Sequence, residues 1–397
     1  MLSSIMPWIE MAVRWAHVIA GIAWIGTSFY FVWLDNNLRP PREPRPGVGG
    51  ELWAVHGGGF YHKQKYAVAP EMLPEHLHWF KWEAYFTWIS GFLLLAVVYY
   101  IGADIFLIDR AKVDMPAPVA IGLSLATLAS GWLIYDGLCR SALANNQALF
   151  GQIWFAILVL AAYWLTHLFS DRAAFMHVGA IVGTVMAANV FFVIIPNQRK
   201  ATAAMLEGGA PDPNLGKAAK QRSLHNNYMT LPVVLIMVSG HYPMLFGASL
   251  NWLLLAGLAL VGVLVRHYFN LKNVGVEKKS LLAWAGVAFA GVAVLAIASQ
   301  PPTLSAEAAS FTRVREIMDR HCVTCHAAQP THAGFTAPPL GLELTDAESI
   351  KLYAPQIMQQ TVLTETMPLG NETGMTAEER ADLRAWIGAG APVEASP

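Results

Sequence analysis

The sequence carries little charge. Asp, Glu, Lys and Arg make up only 13% of its 397 residues, against roughly 25% in soluble globular proteins. This shortage excludes a disordered chain and an ordinary cytosolic enzyme, and the formal net charge of −1 gives no sign of a nucleic-acid partner. Three cysteines are too few for a disulfide framework in a chain of this length. Apolar residues, in contrast, make up 55% of the sequence, which predicts a protein embedded in a lipid bilayer.

Long apolar stretches predict an all-α bundle of transmembrane helices. About 20 apolar residues are needed to cross the bilayer core, and eight stretches of the sequence qualify. The sixth is the weakest, because Pro232 and His241 interrupt it. No cleavable signal is predicted, since no Lys or Arg precedes the first stretch. The eight predicted spans are residues 8–34, 79–101, 117–138, 150–169, 177–195, 229–246, 250–271 and 281–298.

Loop charge predicts the orientation of the bundle. Lys and Arg are concentrated in the loops after spans one, three, five and seven, whereas the other loops hold only Arg110, Lys112 and Arg172. Positively charged loops remain on the cytoplasmic side of a membrane. Both termini are therefore predicted to lie on the outer side.

The C-terminal part of the sequence predicts a second domain. The predicted boundaries are a transmembrane domain at residues 1–299, a linker at 300–305 and a polar outer domain at 306–397. The outer domain contains Cys322, Cys325 and His326 in a Cys-x-x-Cys-His motif, which is the pattern of covalent c-type haem attachment. A thioredoxin-like redox pair would lack its βαβ context, and half a zinc site would lack its second pair of ligands. We expect one haem c, attached through both thiols and ligated by the histidine.

A methionine and a helix complete the predicted haem domain. Met367 is the expected second axial ligand, because Pro368 extends the chain after it and a thioether raises the potential of the iron. Met358 and Met375 are the alternatives and are interpreted as packing residues. Residues 376–387 begin with a capping box and present one apolar face, which resembles the C-terminal helix of class I cytochromes c. Haem c is attached outside the cytoplasm, in agreement with the predicted orientation.

Histidines in the outer halves of the spans point to a second haem. They are His17, His167, His177 and His241. Ionisable residues inside a membrane are costly and usually functional, and neutral imidazole is a good iron ligand. Arg14 lies one helical turn from His17, where it would pair with a haem propionate. The sequence favours a b-type haem here, and the alternative is that each histidine only forms hydrogen bonds between helices.

A second polar group lies at the cytoplasmic ends of the spans. Amide, imidazole and phenol side chains are what a site needs to bind a planar heterocycle of low charge. Three glycines in the first loop would also let the backbone approach a ligand closely. A solvated, positively charged rim is the alternative interpretation. The group comprises His56, His225, Asn226, Asn227, Tyr228 and Arg266.

These motifs together resemble one known family. The eight spans, the segments His56-Gly-Gly-Gly-Phe-Tyr61 and His225-Asn-Asn-Tyr228-Met-Thr-Leu-Pro232, and the Cys-x-x-Cys-His tail resemble the bacterial membrane-bound urate oxidases that are fused to a cytochrome c. The resemblance covers nearly the whole chain. It implies oxidation of urate to 5-hydroxyisourate in purine catabolism, in the bacterial inner membrane, with both termini in the periplasm. Electrons would pass to the fused cytochrome and then to a respiratory acceptor, either a cytochrome oxidase or a soluble cytochrome c.

The resemblance also implies roles for the cytoplasmic residues. Arg266 or Lys65 would offset the charge of the urate monoanion. Asn226 or Asn227, together with Tyr228, would form hydrogen bonds with its edges. His225 or His56 would remove a proton as urate is oxidised.

Two other functions stay open at this point. A cytochrome anchor would relay electrons from quinol to a partner without a substrate site of its own. A transporter or sensor would carry an accessory haem domain, but a transporter is expected to show broken helices in paired halves, and the sequence has no such pairing.

Overall fold

The computed structural model describes residues 2–70, 73–74, 76–110, 112–299, 309–363 and 365–393. The protein is mostly helical, with 69% helix and 5% strand. The predicted linker at residues 300–305 lies outside the described residues.

The apolar part of the chain folds into a bundle of helices. Asn146 and Ser170 cap the first turns of α4 and α5 through their side chains. π-helical turns extend α2 at Ala96–Tyr100, follow it at Ala103–Leu107 and join α5 to α6 at Asn189–Ile194. In chain order the helices are α1 (Leu2–Asn37), α2 (Trp82–Leu95), α3 (Ala117–Arg140), α4 (Gln147–Leu168), α5 (Asp171–Ala188), α6 (Ile195–Leu206), α7 (Pro213–Ser239), α8 (Pro243–Phe246), α9 (Asn251–Asn273) and α10 (Ser280–Ala298).

Helix α5 lies at the centre of the bundle. It contacts α2, α3, α4, α7 and α9. The most apolar part of the α5–α6 stretch is 56% buried, whereas the corresponding figure for the other candidate spans is 28% or less. The other helices therefore surround α5 and expose apolar side chains outward, as helices that face lipid do.

Seven of the described helices are long and apolar enough to cross a membrane, which indicates a multi-pass membrane protein. The predicted sixth span, at residues 229–246, is not among them, so seven of the eight predicted spans have a matching helix and the sixth stays a prediction. Its residues do not form one helix, because α7 ends at Ser239 and a turn through His241 separates it from α8. The seven are Trp8–Asn37, Trp82–Tyr100, Ala117–Arg140, Gln147–Leu168, Asp171–Leu206, Asn251–Asn273 and Ser280–Ala298.

Helix α7 is longer and more polar than the sequence predicts. It begins at Pro213, where the side chain of Asp212 accepts a hydrogen bond from the first turn. Pro232 therefore lies inside a helix and not near the start of one. Packing against α5, α6 and α9 holds this polar helix in the bundle.

The loop between α1 and α2 forms a β-hairpin, so the all-α prediction is wrong in this segment. Strands β1 (Val48–His56) and β2 (Gly59–Tyr66) pair antiparallel. Gly57 and Gly58 between them have φ angles of +59° and +77°. Two consecutive residues with positive φ make the tight turn that suits a hairpin, and glycine adopts this conformation without steric cost. The predicted role of these two glycines in approaching a ligand is therefore corrected: they form the hairpin turn.

The described part of the tail has its own hydrophobic core. Helix α11 packs against α14, and Met318, Leu383 and Trp386 are fully buried between the tail helices. The predicted capping box is confirmed: the Glu379 amide donates to Thr376 Oγ1, and the Thr376 amide donates to the Glu379 carboxylate at 2.8 Å. The tail helices are α11 (Phe311–His321), α12 (Ala347–Leu352), α13 (Ala354–Ile357) and α14 (Ala377–Gly388).

Candidate functional site

A cavity of about 510 Å³ lies beside the first half of α7. It is bounded by α1, by the segment that precedes α2, by α6 with the π-helical turn at Asn189–Ile194, and by α7 itself. A cavity of this size is ordinary for a site that binds a small molecule. Its aromatic wall includes Trp24, Phe31, Trp79 and Phe80. Its polar wall includes Ser28, His78, Gln198, Ser223, Asn226 and Thr230.

Helix periodicity explains why these side chains meet. Ser223, Asn226 and Thr230 are three and four residues apart on α7, and residues with this spacing share one face of a helix. Trp24 and Phe31 are seven residues apart on α1, which is two turns. The cavity therefore has a hydrogen-bonding side and an aromatic side, which is the arrangement that holds a flat polar ring.

Arg222 on α7 is buried and paired. Its Nη2 donates to Asp136 Oδ1 at 2.7 Å, and its Nη1 donates to Asn189 Oδ1 at 3.0 Å. Asn189 Nδ2 in turn donates to Asn226 Oδ1 at 2.8 Å. Since Asp136 neutralises the guanidinium, Arg222 orients an amide of the cavity wall and is not available to an anion. Asn189 and Asp136 are absent from the predicted set, although an amide within an apolar stretch such as that around Asn189 is a recognisable signal.

Arg266 on α9 belongs to a second buried group, whose residues do not line the cavity. Its Nε donates to Asn227 Oδ1 at 2.9 Å, and Asn270 Nδ2 donates to the same oxygen at 2.8 Å. The guanidinium carbon lies 3.8 Å from the centre of the Phe29 ring. Arg266 is only 5% exposed and Asn227 is fully buried. Asn227 shares a face of α7 with Ser223, which lines the cavity.

This second group leaves polar atoms without partners. Among the described side chains, Asn227 Nδ2, Arg266 Nη2 and Asn270 Oδ1 are buried and form no hydrogen bond. No carboxylate is paired with Arg266 in the described ranges either. A buried guanidinium without a counter-ion is costly, and native proteins leave few buried polar groups unsatisfied. Two donors, one of them cationic, beside one acceptor are the complement of a planar anion that also carries an N–H group.

The four consecutive residues from His225 to Tyr228 contact different neighbours, because successive residues on a helix point about 100° apart. Asn226 lines the cavity and Asn227 contacts Arg266, as described above. His225 lies away from the cavity, with Nδ1 2.8 Å from Tyr135 Oη and Nε2 2.8 Å from Gln147 Oε1. Tyr228 Oη lies 2.7 Å from His267 Nδ1. The structure therefore does not bring the predicted set into one cluster.

The remaining two predicted residues of this group lie on the hairpin. His56 is exposed and comes directly before the turn. Lys65 is also on the hairpin and donates to Asp35 Oδ1 at 2.7 Å. Of these two cations, Lys65 is paired with a carboxylate, whereas Arg266 has no carboxylate partner among the described residues.

The outer histidines do not share a hydrogen-bond partner in the described structure. His17 Nδ1 donates to the Thr87 carbonyl at 3.0 Å, which leaves the lone pair of Nε2 available to a metal. His177 is fully buried, and its Nδ1 donates to the Ala173 carbonyl at 2.7 Å. The other nitrogen of His177 must then accept from Ser124 Oγ at 2.6 Å, so it has no lone pair for iron. The geometry suits a ligand role for His17 and does not suit one for His177.

The other residues predicted for a b-type haem are dispersed. Arg14 forms an ion pair with Glu10 on its own helix. His167 Nδ1 donates to the Tyr163 carbonyl at 2.7 Å, and His241 lies exposed in the turn between α7 and α8. The b-type haem stays a prediction.

The tail motif fits covalent haem attachment. His326 Nδ1 donates to the Leu342 carbonyl at 2.9 Å, which leaves Nε2 with a lone pair, the usual arrangement of an imidazole that ligates a metal. The Cys325 and His326 amides donate to the Cys322 carbonyl at 3.1 and 2.8 Å, so the motif forms one tight turn. Burial raises the pKa of the Cys322 thiol to about 12. A redox-active dithiol needs a lowered pKa, so this environment disfavours the thioredoxin-like alternative.

Met367 is held by its backbone on both sides. Its amide donates to the Gln360 carbonyl at 2.9 Å, and its carbonyl accepts from Arg380 Nη1 at 2.8 Å. Met375 is buried in the tail core and Met358 packs against that core. In the described ranges no group of three or more His, Cys, Asp or Glu side chains is arranged to hold a metal ion through protein ligands alone.

A family model described as urate oxidase N-terminal matches residues 3–298 of the chain. No curated protein and no solved structure matches this chain.

Proposed function

Because the chain belongs to the urate oxidase N-terminal family, we propose that it oxidises urate to 5-hydroxyisourate in the cavity beside α7 and releases the electrons through the C-terminal tail. Membership of this family indicates a urate-related function and an oxidoreductase.

The single observation that carries the proposal is the buried, unpaired guanidinium of Arg266. Urate is a monoanion near neutral pH, and its edges combine carbonyl and ring acceptors with N–H donors. Arg266 Nη2 and Asn227 Nδ2 offer donors to such an edge, and Asn270 Oδ1 offers an acceptor. These three residues do not line the cavity itself, and a urate edge that reached them from the cavity would pair with their buried atoms and neutralise the arginine.

The rest of the ring would lie in the cavity, with its edge against Asn226 and its face against the aromatic wall. His78 lines the same cavity, whereas His225 does not. We therefore assign removal of the urate proton to His78, in place of His225 or His56, because a base must be within hydrogen-bond reach of the proton it takes.

The overall reaction balances when water supplies the oxygen atom. Urate and water give 5-hydroxyisourate, two protons and two electrons. In the tail, Cys322, Cys325, His326 and Met367 would hold a haem c, which accepts one electron at a time. The two electrons from each urate would therefore leave in succession, to a soluble cytochrome c or to a cytochrome oxidase. Since haem c is attached outside the cytoplasm, we propose that the tail lies in the periplasm, on the outer side of a bacterial inner membrane.

The experiment adds urate to oxidised membranes that contain the protein and follows the c-type absorbance. Urate should reduce the haem, whereas xanthine and allantoin should not. Arg266→Gln should raise KM for urate about 10- to 100-fold, because a charged hydrogen bond in a buried site is lost. Lys279→Gln removes an exposed cation whose partner, Glu277, does not line the cavity, and KM should stay unchanged.

Full haem c content and normal reduction by dithionite must accompany the effect of Arg266→Gln. If urate does not reduce haem c in the unmodified protein, the proposed function is wrong. If a quinol reduces haem c in its place and Arg266→Gln has no effect, the protein is a cytochrome anchor.

A further inference from the structure

A loop of the tail touches the membrane-spanning part of the chain. A Cβ atom added at Gly370 would lie 3.1 Å from the carbonyl oxygen of Ile108 and 3.3 Å from that of Ile105. The side chain of Ile105 also reaches a second tail segment, since a Cβ atom at Gly334 would lie 3.0 Å from Ile105 Cδ1. Two separate segments of the tail therefore meet one short segment between α2 and α3. We name this segment, residues 104–109, the platform.

The platform is fixed to the central helix of the bundle. The Phe106 carbonyl accepts from Ser170 Oγ at 2.6 Å, and the Leu107 carbonyl accepts from the Ser170 amide at 3.0 Å. Ser170 is the residue that caps α5. Leu107 and Ile108 are fully buried. The carbonyl oxygens that face Gly370 thus belong to a segment that cannot shift without disturbing α5.

Arg380 links this contact to Met367. The guanidinium is buried, and it donates to the carbonyls of Met367 and Thr361. Asp109 of the platform is one of the negative charges that act on Arg380. Gly370 follows Met367 by three residues. The loop that carries the expected iron ligand is therefore held by α14 on one side and by the platform on the other.

We propose that the platform is the docking surface for the Met367 loop and that this contact presents the Met367 side of the tail to the bundle for electron transfer. The inference rests on the proposed function, because it requires a haem at Cys322 and Cys325. A haem held by Cys322, Cys325, His326 and Met367 would supply a one-electron acceptor, so the two electrons released from each urate would cross the contact one after the other. Gly370 and Arg380 are positioning residues in this step.

Gly370 and Gly374 form a matched pair for a test. Both have positive φ, +58° and +68°, so alanine introduces a similar backbone strain at either position. A Cβ atom at Gly374 would meet nothing within 4 Å, whereas at Gly370 it would press on fixed backbone oxygens of the platform. Only the Gly370→Ala variant should therefore displace the loop from the bundle.

Cross-linking of the full-length protein in membranes measures docking without reference to activity. The variant with both Ile105→Cys and Gly334→Cys should be joined by a short thiol-specific cross-linker, because a Cβ atom at Gly334 would lie 3.0 Å from the end of the Ile105 side chain. Ile105→Cys with Leu340→Cys is the control pair, since Leu340 is fully exposed. Linked peptides are identified by mass spectrometry. Addition of Gly370→Ala should lower the yield for the first pair about tenfold, and Gly374→Ala should not lower it.

The rate of haem c reduction then tests the role of docking. Gly370→Ala should slow reduction by urate about tenfold, and Gly374→Ala should leave it within about twofold. Reduction by dithionite, which reaches the haem from solvent, should be equal in all variants. The near-infrared band of a sulfur-ligated ferric haem reports whether Met367 still binds the iron.

The outcomes separate this inference from the proposed function. If urate reduces haem c in the unmodified protein but Gly370→Ala is reduced at the same rate, the docking proposal is wrong and the proposed function stands. Failure of the Ile105–Gly334 pair to cross-link also overturns the docking proposal. If urate reduces no variant, the proposed function has failed, whereas efficient cross-linking still supports the contact itself.

Discussion

Two buried arginines in the bundle have different surroundings, and the difference assigns their roles. Asp136 lies 2.7 Å from Arg222 and neutralises it. Arg266 has a phenyl ring and an amide oxygen beside it but no carboxylate partner among the described residues. Breaking a buried ion pair costs about 3–5 kcal/mol, so Arg222 serves the stability of the cavity wall. The incomplete shell of Arg266 leaves room for the charge of a ligand.

The choice of proton acceptor is testable at single residues. His78→Gln should lower kcat about 10²- to 10⁴-fold, because the group that accepts the urate proton is gone. His225→Gln should leave kcat nearly unchanged, since His225 does not line the cavity. The measurement is the initial rate of haem c reduction at saturating urate. An unchanged kcat in His78→Gln would return the role to another histidine.

Which residues the sequence could place depends on how local their contacts are. Arg266 and Asn227 were predicted for one site and do contact each other, because both carry the chemistry that an anionic heterocycle needs. His225 was predicted for the same site from its neighbours in sequence, yet it turns to Tyr135 on another helix. Asn270 lies one turn after Arg266, but only the packing of α7 against α9 makes it part of the group.

Elements with local signals were predictable, and elements formed by tertiary contacts were not. The start of α14 follows from the spacing of Thr376 and Glu379 alone, and the structure has it. The hairpin is exposed on most of both faces, so its strands lack the alternation of apolar and polar residues that marks a half-buried strand. The first half of α7 is polar, and a hydropathy window detects only the apolar part that follows it.

The capping box of α14 predicts how the tail responds to acid. Burial alone would raise the pKa of Glu379, but hydrogen bonds from the Thr376 amide and hydroxyl and the contact with His321 hold that pKa at about 2. A folded-state pKa below the unfolded value stabilises the fold above about pH 4.3, and this contribution is lost as the pH falls toward 2. Resistance of the tail to proteolysis in urea should therefore decline over that range.

Substitution at this box separates its effect from general acid denaturation. Glu379→Gln should destabilise the tail by about 1–3 kcal/mol at neutral pH and flatten its pH dependence between about 4.3 and 2. Glu378→Gln changes the exposed neighbour and should leave both unchanged. An equal decline in Glu379→Gln and in the unmodified protein would assign the acid response to other carboxylates.

In the whole molecule, the candidate substrate site and the contact between the bundle and the tail lie at different depths of the bundle. Asn226 of the cavity and Ser239 at the end of α7 are about 20 Å apart, since a helix rises about 1.5 Å per residue. Helix α8, which follows that end, contacts the tail at the π-helical turn Met358–Leu363. Arg266 lies seven residues before the end of α9, or about 10 Å into the helix. The candidate site is therefore deeper in the bundle than the cytoplasmic ends of the spans, where the sequence predicts it.

This separation makes a prediction about the reaction as a whole. If electrons leave only through the tail, urate oxidation needs no molecular oxygen and makes no hydrogen peroxide. In anaerobic membranes supplied with ferricyanide, each urate consumed should reduce two equivalents of this one-electron acceptor, because the balanced reaction releases two electrons. Cys325→Ala, which removes one thioether, should abolish this coupling, whereas Cys139→Ala, which changes the cysteine outside the tail, should leave the stoichiometry at two. Urate consumption that depends on oxygen and persists in Cys325→Ala would show that the electrons leave from the bundle directly.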